Sequence, residues 1–207
     1  MCRMGLVVWL TAVIAGVGGA CLAQNMLTNP SFEQNLAGWS KNSVYSVQVV
    51  SSGWNGVTAA SGNKFLAVSG PAQVGYTYAW LVSQTRSYPF GSGLPSDNFL
   101  LYLFARTYLH TNDGRNVSYA IVLEPGYGEM SMSFHGGSRD RWVTAHASGY
   151  YSAADPNDPS LPAKPIRVYL QLRDSLEAGE YLLLDAVELY YGGTGVPEAT
   201  AGAEAAR

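Results

Sequence analysis

Apolar and polar residues alternate along most of this chain, in short runs separated by clusters of Gly, Pro, Asn, Asp and Ser. Alternation of that kind gives a strand one buried and one outward face, and no segment past the first 23 residues has a helical period. The pattern predicts strands over Tyr45–Val50, Lys64–Ser69, Tyr78–Thr85, Phe99–Leu109 and Val117–Leu123. It continues with Glu129–Phe134, Trp142–Tyr151, Ile166–Arg173 and Tyr181–Tyr191. Turn chemistry fills the gaps, as in Ser61-Gly62-Asn63, Asn112-Asp113-Gly114 and Pro125-Gly126. Many short strands at this spacing predict an all-β, antiparallel sandwich or barrel. Two connections are long, Ser87–Ser96 and Ala153–Pro165, and long loops over a rigid scaffold are frequent places for binding.

The first 23 residues break the pattern. Arg3 precedes an unbroken run of apolar and small residues from Met4 to Ala20, closed by Cys21-Leu22-Ala23. This reads as a secretory signal cut after Ala23, with a membrane anchor or a lipid-modified Cys21 as the other readings. Residues 24–192 form the expected domain, secreted or in the cell envelope and not inserted in a membrane once the signal is removed. Residues 193–207 are rich in Gly, Ala and Glu and read as a disordered tail.

Composition narrows the chemistry. Both cysteines, Cys2 and Cys21, lie in the leader, so the expected domain has neither a disulfide nor a thiol nucleophile. Only 13% of residues are charged and the formal net charge is −3, which gives no electrostatic footprint for nucleic acid. The 14 tyrosines and 5 tryptophans suit stacking on sugars, although they suit a sandwich core equally.

Strand parity yields a candidate binding face. Leu101, Leu103, Ala105, Thr107 and Leu109 read as core, which leaves Tyr102, Phe104, Arg106 and Tyr108 outward. Ile166, Val168, Leu170 and Leu172 likewise leave Arg167, Tyr169, Gln171 and Arg173 outward, and Gln84 and Arg86 end a third strand assigned to the same side. Tyr102, Arg106, Tyr169, Gln171, Arg173 and Gln84 are the expected carbohydrate-binding residues, joined by Trp54 on a loop. Rings would take the C–H face of a pyranose, and guanidinium and amide groups would bond its hydroxyls. The competing reading has the same side chains packing beneath a loop or against another protein.

No catalytic arrangement stands out. The carboxylates fall mostly in predicted turns, the three histidines are solitary, and there is no nucleophile elbow or phosphate loop. Arg106, Tyr108 and His110 alternate along one strand, the residue types of a polysaccharide lyase, so that chemistry stays open as a lesser alternative.

The two ends of the domain carry a resemblance. The segment Asn25-Met26-Leu27-Thr28-Asn29-Pro30-Ser31-Phe32-Glu33, followed by Gly38-Trp39, resembles the opening of carbohydrate-binding modules and galactose-binding-domain-like jelly rolls. Tyr181–Tyr190, with its Asp185-Ala186-Val187-Glu188-Leu189, resembles their closing strand, and Trp142-Val143 with Ala147-Ser148-Gly149-Tyr150 an internal one. The resemblance implies a jelly roll with Trp39 and Trp142 in the core. It implies a non-catalytic module that binds a poly- or oligosaccharide on the concave face. It also implies one structural Ca²⁺, with Glu33 and Asp185 as side-chain ligands and carbonyls near Ser31 and Lys64 completing the sphere. Asp185 shares parity with Leu183, Val187 and Leu189, so it is expected to point toward the core, where a carboxylate needs a partner. Backbone amides alone are the other way to satisfy it. A structural or adhesive envelope protein, using the same face against protein, is the alternative function.

Overall fold

The computed structural model describes residues 25–74, 79–86, 99–125, 130–134, 136–137, 139–151 and 165–192. The leader, the tail and nearly all of both long loops lie outside the described residues, as does His135.

Ten strands form two antiparallel sheets. They are β1 (Ser40–Lys41), β2 (Val47–Ser51), β3 (Lys64–Ser69), β4 (Ala79–Arg86), β5 (Phe99–His110), β6 (Tyr119–Pro125), β7 (Met130–Phe134), β8 (Val143–Tyr151), β9 (Ile166–Leu172) and β10 (Tyr181–Gly192). One sheet runs β1-β4-β9-β6-β7, here the first sheet; the second runs β2-β3-β10-β5-β8. This is an all-β jelly-roll sandwich. β3 has the predicted bounds, and the other strands differ from prediction by one or two residues at an end. The two-residue β1 and a 3-10 turn at Trp54–Gly56 are too short to show a period.

The main core lies between the sheets. Leu66, Val68, Leu101, Leu103, Leu182 and Leu184 from the second sheet meet Ile121, Leu123, Val168, Leu170 and Leu172 from the first. Each such side chain contributes about 1.5–3 kcal/mol when fully buried. Parity is therefore fixed by many of them together, because a one-residue slip would expose the whole set. Trp39 belongs here, 7% exposed, tilted against Phe32 and donating from Nε1 to the Asn29 carbonyl at 3.2 Å.

A smaller cluster sits on the outer side of the second sheet. The turn at Trp54–Gly56 and the segment after it lay Trp54 and Val57 over Phe65, Ala67, Tyr181 and Leu183. Trp54 meets Tyr181 edge-on at 5.1 Å and Phe65 at 6.5 Å. Trp142 closes the cluster from the side, donating to the Thr58 carbonyl at 2.7 Å. Trp142 is thus a packing residue, as expected, but of this outer cluster.

Asp185 departs from its expected parity. β10 carries a bulge between Asp185 and Glu188, and Ala186 sits at φ 46. Before the bulge Leu182 and Leu184 face the main core, while Tyr181 and Leu183 face the outer cluster. After it Val187 and Leu189 face the main core. Asp185 therefore belongs with Tyr181 and Leu183 on the outer side, where the extra residue has reset the alternation.

The N-terminal segment stitches the two sheets together along one edge. On one side Met26 N–H donates to the Leu189 carbonyl at 2.7 Å and Val187 N–H to the Pro30 carbonyl at 3.0 Å. On the other, Gln84 accepts from Thr28 N–H at 2.8 Å and returns a bond to the Thr28 carbonyl at 3.0 Å, while Arg86 Nε donates to the Met26 carbonyl.

Candidate functional site

The outward side of the first sheet gathers aromatic and hydrogen-bonding groups. Cross-strand register puts Trp80 opposite Gln171, Ser83 opposite Tyr169 and Thr85 opposite Arg167, with Ala120, Val122 and Glu124 beside them on β6. The Arg167 guanidinium carbon lies 4.9 Å from the Tyr169 ring centre and 5.6 Å from that of Trp80. Glu124 reaches Arg167 at 3.8 Å, and Arg173 Nε donates to Gln171 Oε1 at 2.9 Å. Tyr169 is only 6% exposed and Gln171 8%, and Ala120 and Val122 are fully buried with Trp80 against them. Side chains this buried on the outward side of a sheet are covered by their neighbours, while Trp80, Thr85 and Arg167 in this patch keep exposed surface.

The structure divides the expected carbohydrate-binding residues. Tyr169, Gln171 and Arg173 share the outward side of the first sheet, with Arg173 just past the end of β9. Tyr102 and Arg106 point outward from β5, which belongs to the second sheet, so they cannot line the same groove. Parity tells inward from outward; it does not tell which of two sheets a strand joins. Gln84 faces inward and is 2% exposed, because its parity matches Val82 and Val168, and it holds Thr28. Trp54 is a half-buried packing residue of the outer cluster and no exposed platform. Trp80 and Arg167 were not among the expected site residues. Their signal was present in the alternation of β4 and β9, but only register brings the two together.

The expected metal ligands do converge. Glu33 Oε1 accepts from Asn63 N–H at 2.7 Å and Lys64 N–H at 2.8 Å, and Gly62, at φ +66, passes so close that a methyl there would strike the Glu33 carboxylate. Asp185 Oδ2 accepts from Ser61 N–H at 2.8 Å and Oδ1 from Ala186 N–H at 2.7 Å. Ser31 and Ser61 hydroxyls meet at 3.2 Å in the same place. Burial pushes the Asp185 carboxyl up to about 6; the amides of Ser61, Ala186 and Ala60 pull it down, and the Glu33 charge adds to the rise.

Two carboxylates thus repel across a site where one is fully buried, and a cation between them would relieve both penalties. Among the described residues no third His, Cys, Asp or Glu joins them, so other donors would be carbonyls and hydroxyls such as those of Ser31 and Ser61. The donor set is all oxygen, which fits a hard cation such as Ca²⁺. Lys64 takes part here through its N–H to Glu33, while its ammonium donates to Asn35 Oδ1 at 3.1 Å.

Arg106, Tyr108 and His110 do share one outward row. His110 Nδ1 is bonded to Asp140 at 2.8 Å and its ring stacks on Tyr181 at 4.8 Å. Burial and the Asp140 charge raise the Tyr108 hydroxyl above its ordinary range, against a smaller opposing effect of its hydrogen bond with Tyr181.

No protein-family model matches the chain. No curated protein matches it either. Solved structures do. One is TmCBM61 in complex with β-1,4-galactotriose, 16% identical, with a TM-score of 0.53 over 81% of this chain and 99% of that one. Another is the tandem of two family-22 modules from Paenibacillus barcinonensis Xyn10C, 16% identical, with a TM-score of 0.51 over 86% of this chain and 49% of that one. A third is the Stig cyclase Fisc from Fischerella sp. TAU, 16% identical, with a TM-score of 0.56 over 83% of this chain and 98% of that one. At such identities the likeness establishes architecture and not activity: this chain has the two-sheet jelly-roll fold found in carbohydrate-binding modules.

Proposed function

We propose that this is an exported, non-catalytic carbohydrate-binding domain. It takes a poly- or oligosaccharide on the outward side of the first sheet, and a Ca²⁺ held by Glu33 and Asp185 braces its ends. The observation that carries the reading is the clustering of Trp80, Arg167, Tyr169 and Gln171 on one outward side of the first sheet. Trp80 is half-buried, so part of its indole stays open to the C–H face of a sugar ring. Arg167 and the Arg173–Gln171 pair offer fixed hydrogen-bonding groups to hydroxyls. Because Glu124 and the ring stack already engage Arg167, the patch is suited to a neutral sugar. The jelly-roll likeness to a module solved with galactotriose agrees with this reading.

The test is a panel of soluble neutral oligosaccharides and insoluble polysaccharides, titrated against the wild type and the Trp80→Ala and Gln171→Ala variants. Affinity for the glycan that binds should fall about tenfold in Trp80→Ala, in keeping with the worth of an aromatic contact plus its buried area. The circular dichroism spectrum should stay unchanged. Unaltered binding in both variants would refute the site. Absence of any glycan ligand, with an envelope protein captured through the same residues, would establish the structural or adhesive alternative.

A further inference from the structure

We propose that the outward side of the second sheet carries a separate site for an acidic sugar, a uronate-bearing oligosaccharide. Near Tyr181 this side is roofed by the segment that contains Trp54 and Val57. Further along, around Phe104 on β5, no described segment covers it. There Tyr102, Phe104, Arg106 and Tyr190 are half-buried, and His146 on β8 is exposed. Register sets Tyr102 opposite Tyr190 and Phe104 opposite His146. The Phe104 ring centre lies 6.2 Å from His146, with the rings tilted, and 6.2 Å from Tyr190, edge to face. Phe104 thus joins the His146 and Tyr190 rings into one aromatic cluster on the outward side of the sheet.

Charge decides what the cluster suits. Glu188, opposite Phe104 on β10, accepts the Tyr190 hydroxyl at 3.1 Å and so turns toward that end of the row. Arg106 at the other side has no carboxylate, carbonyl or ring partner among the described residues. Its neighbour across β10 is Asp185, whose carboxylate is turned to the amides of Ser61 and Ala186; across β8 it faces Thr144. In contrast, Arg115 is paired with Glu180 and Arg167 with Glu124. A guanidinium fork matches a carboxylate through two parallel N–H···O bonds, whereas a neutral sugar offers it only hydroxyls. Aromatic rings for the pyranose face and one fork at their edge with no partner among the described residues therefore select a sugar acid. The chain as a whole is acidic, so the attraction is local to Arg106 and weakens with salt.

The full-length mature protein is titrated at low ionic strength with tri-galacturonate and, separately, with its neutral methyl ester. The acid trimer should bind about tenfold more tightly than the ester, and Arg106→Gln should abolish that preference. Phe104→Leu should weaken both ligands, and added salt should weaken only the acid. Trp80→Ala, which the first reading expects to impair neutral-glycan binding, should leave the acid trimer unaffected. The proposal is overturned if the acid trimer does not bind, if it binds no better than the ester, or if Arg106→Gln keeps the preference. Loss of acid binding in Trp80→Ala would move the ligand to the other sheet and overturn it as well. Failure of the neutral panel at the first sheet leaves these outcomes readable, because the two sites lie on different sheets.

Discussion

Burial raises the Asp185 carboxyl to about 6 from an ordinary 3.8; the amides of Ser61, Ala186 and Ala60 oppose the rise, and the nearby Glu33 charge adds to it. A folded-state value above the unfolded one means that the metal-free fold keeps a proton the unfolded chain has released. The stability from this group is whole below about pH 4 and is lost as pH rises through about 6, amounting to about 3 kcal/mol. In chelator, the melting temperature of the wild type relative to Asp185→Asn should therefore decline across that window and level off above it. A wild-type advantage that grows with pH under these conditions would contradict the assignment. Asp185 was legible as a residue in need of a partner, because a carboxylate sharing parity with Leu183, Val187 and Leu189 is conspicuous. Its direction was not legible, because the bulge at Ala186 gives no signal in a pattern of period two.

At the level of elements, the segment before β1 matters more than its lack of regular structure suggests. Gln84 on β4 brackets Thr28 with two bonds, and Asn25 Oδ1 accepts from Leu189 N–H on β10 at 3.0 Å. Gln84→Ala would remove both bonds to Thr28, an exposed residue, and empty the space of a buried side chain. It should cost about 1–3 kcal/mol by denaturant unfolding, while glycan binding at the first sheet is retained. An effect on affinity with no loss of stability would instead restore Gln84 as a ligand-contacting residue. A second clamp ties the β5–β6 connection to the β9–β10 one. Arg115 Nε donates to Glu180 Oε1 at 2.9 Å, and its other nitrogen reaches Glu180 Oε2 and the Ser175 carbonyl. Burial alone would raise the Glu180 carboxyl, but the Arg115 bond and the amides of Glu177 and Asn112 outweigh it and hold it low. This pairing is invisible in sequence, because the partners lie 65 residues apart.

Over the whole molecule, the candidate cation site links Glu33, just after the N-terminal segment, to Asp185 on the last strand, with the 60–64 segment between them. A cation there would hold three distant parts of the chain in the folded state and none of them in the unfolded one. Added Ca²⁺ should raise the melting temperature, by an amount that grows with concentration, and Asp185→Asn should remove the response. A melting temperature indifferent to Ca²⁺ and to chelator would leave the backbone amides as the only partners of Asp185. The sequence by itself determined the strands and most of their inner faces, because burial of alternate side chains writes the same period along a regular run; the bulges in β4 and β10 are where that period failed. The resemblance at the two ends of the domain implied that Glu33 and Asp185 belong together. Which outward residues share a surface was decided only by tertiary structure. Sheet membership depends on strand pairing across long separations, and pairing placed Tyr102 and Arg106 on one side of the sandwich and Tyr169 and Gln171 on the other.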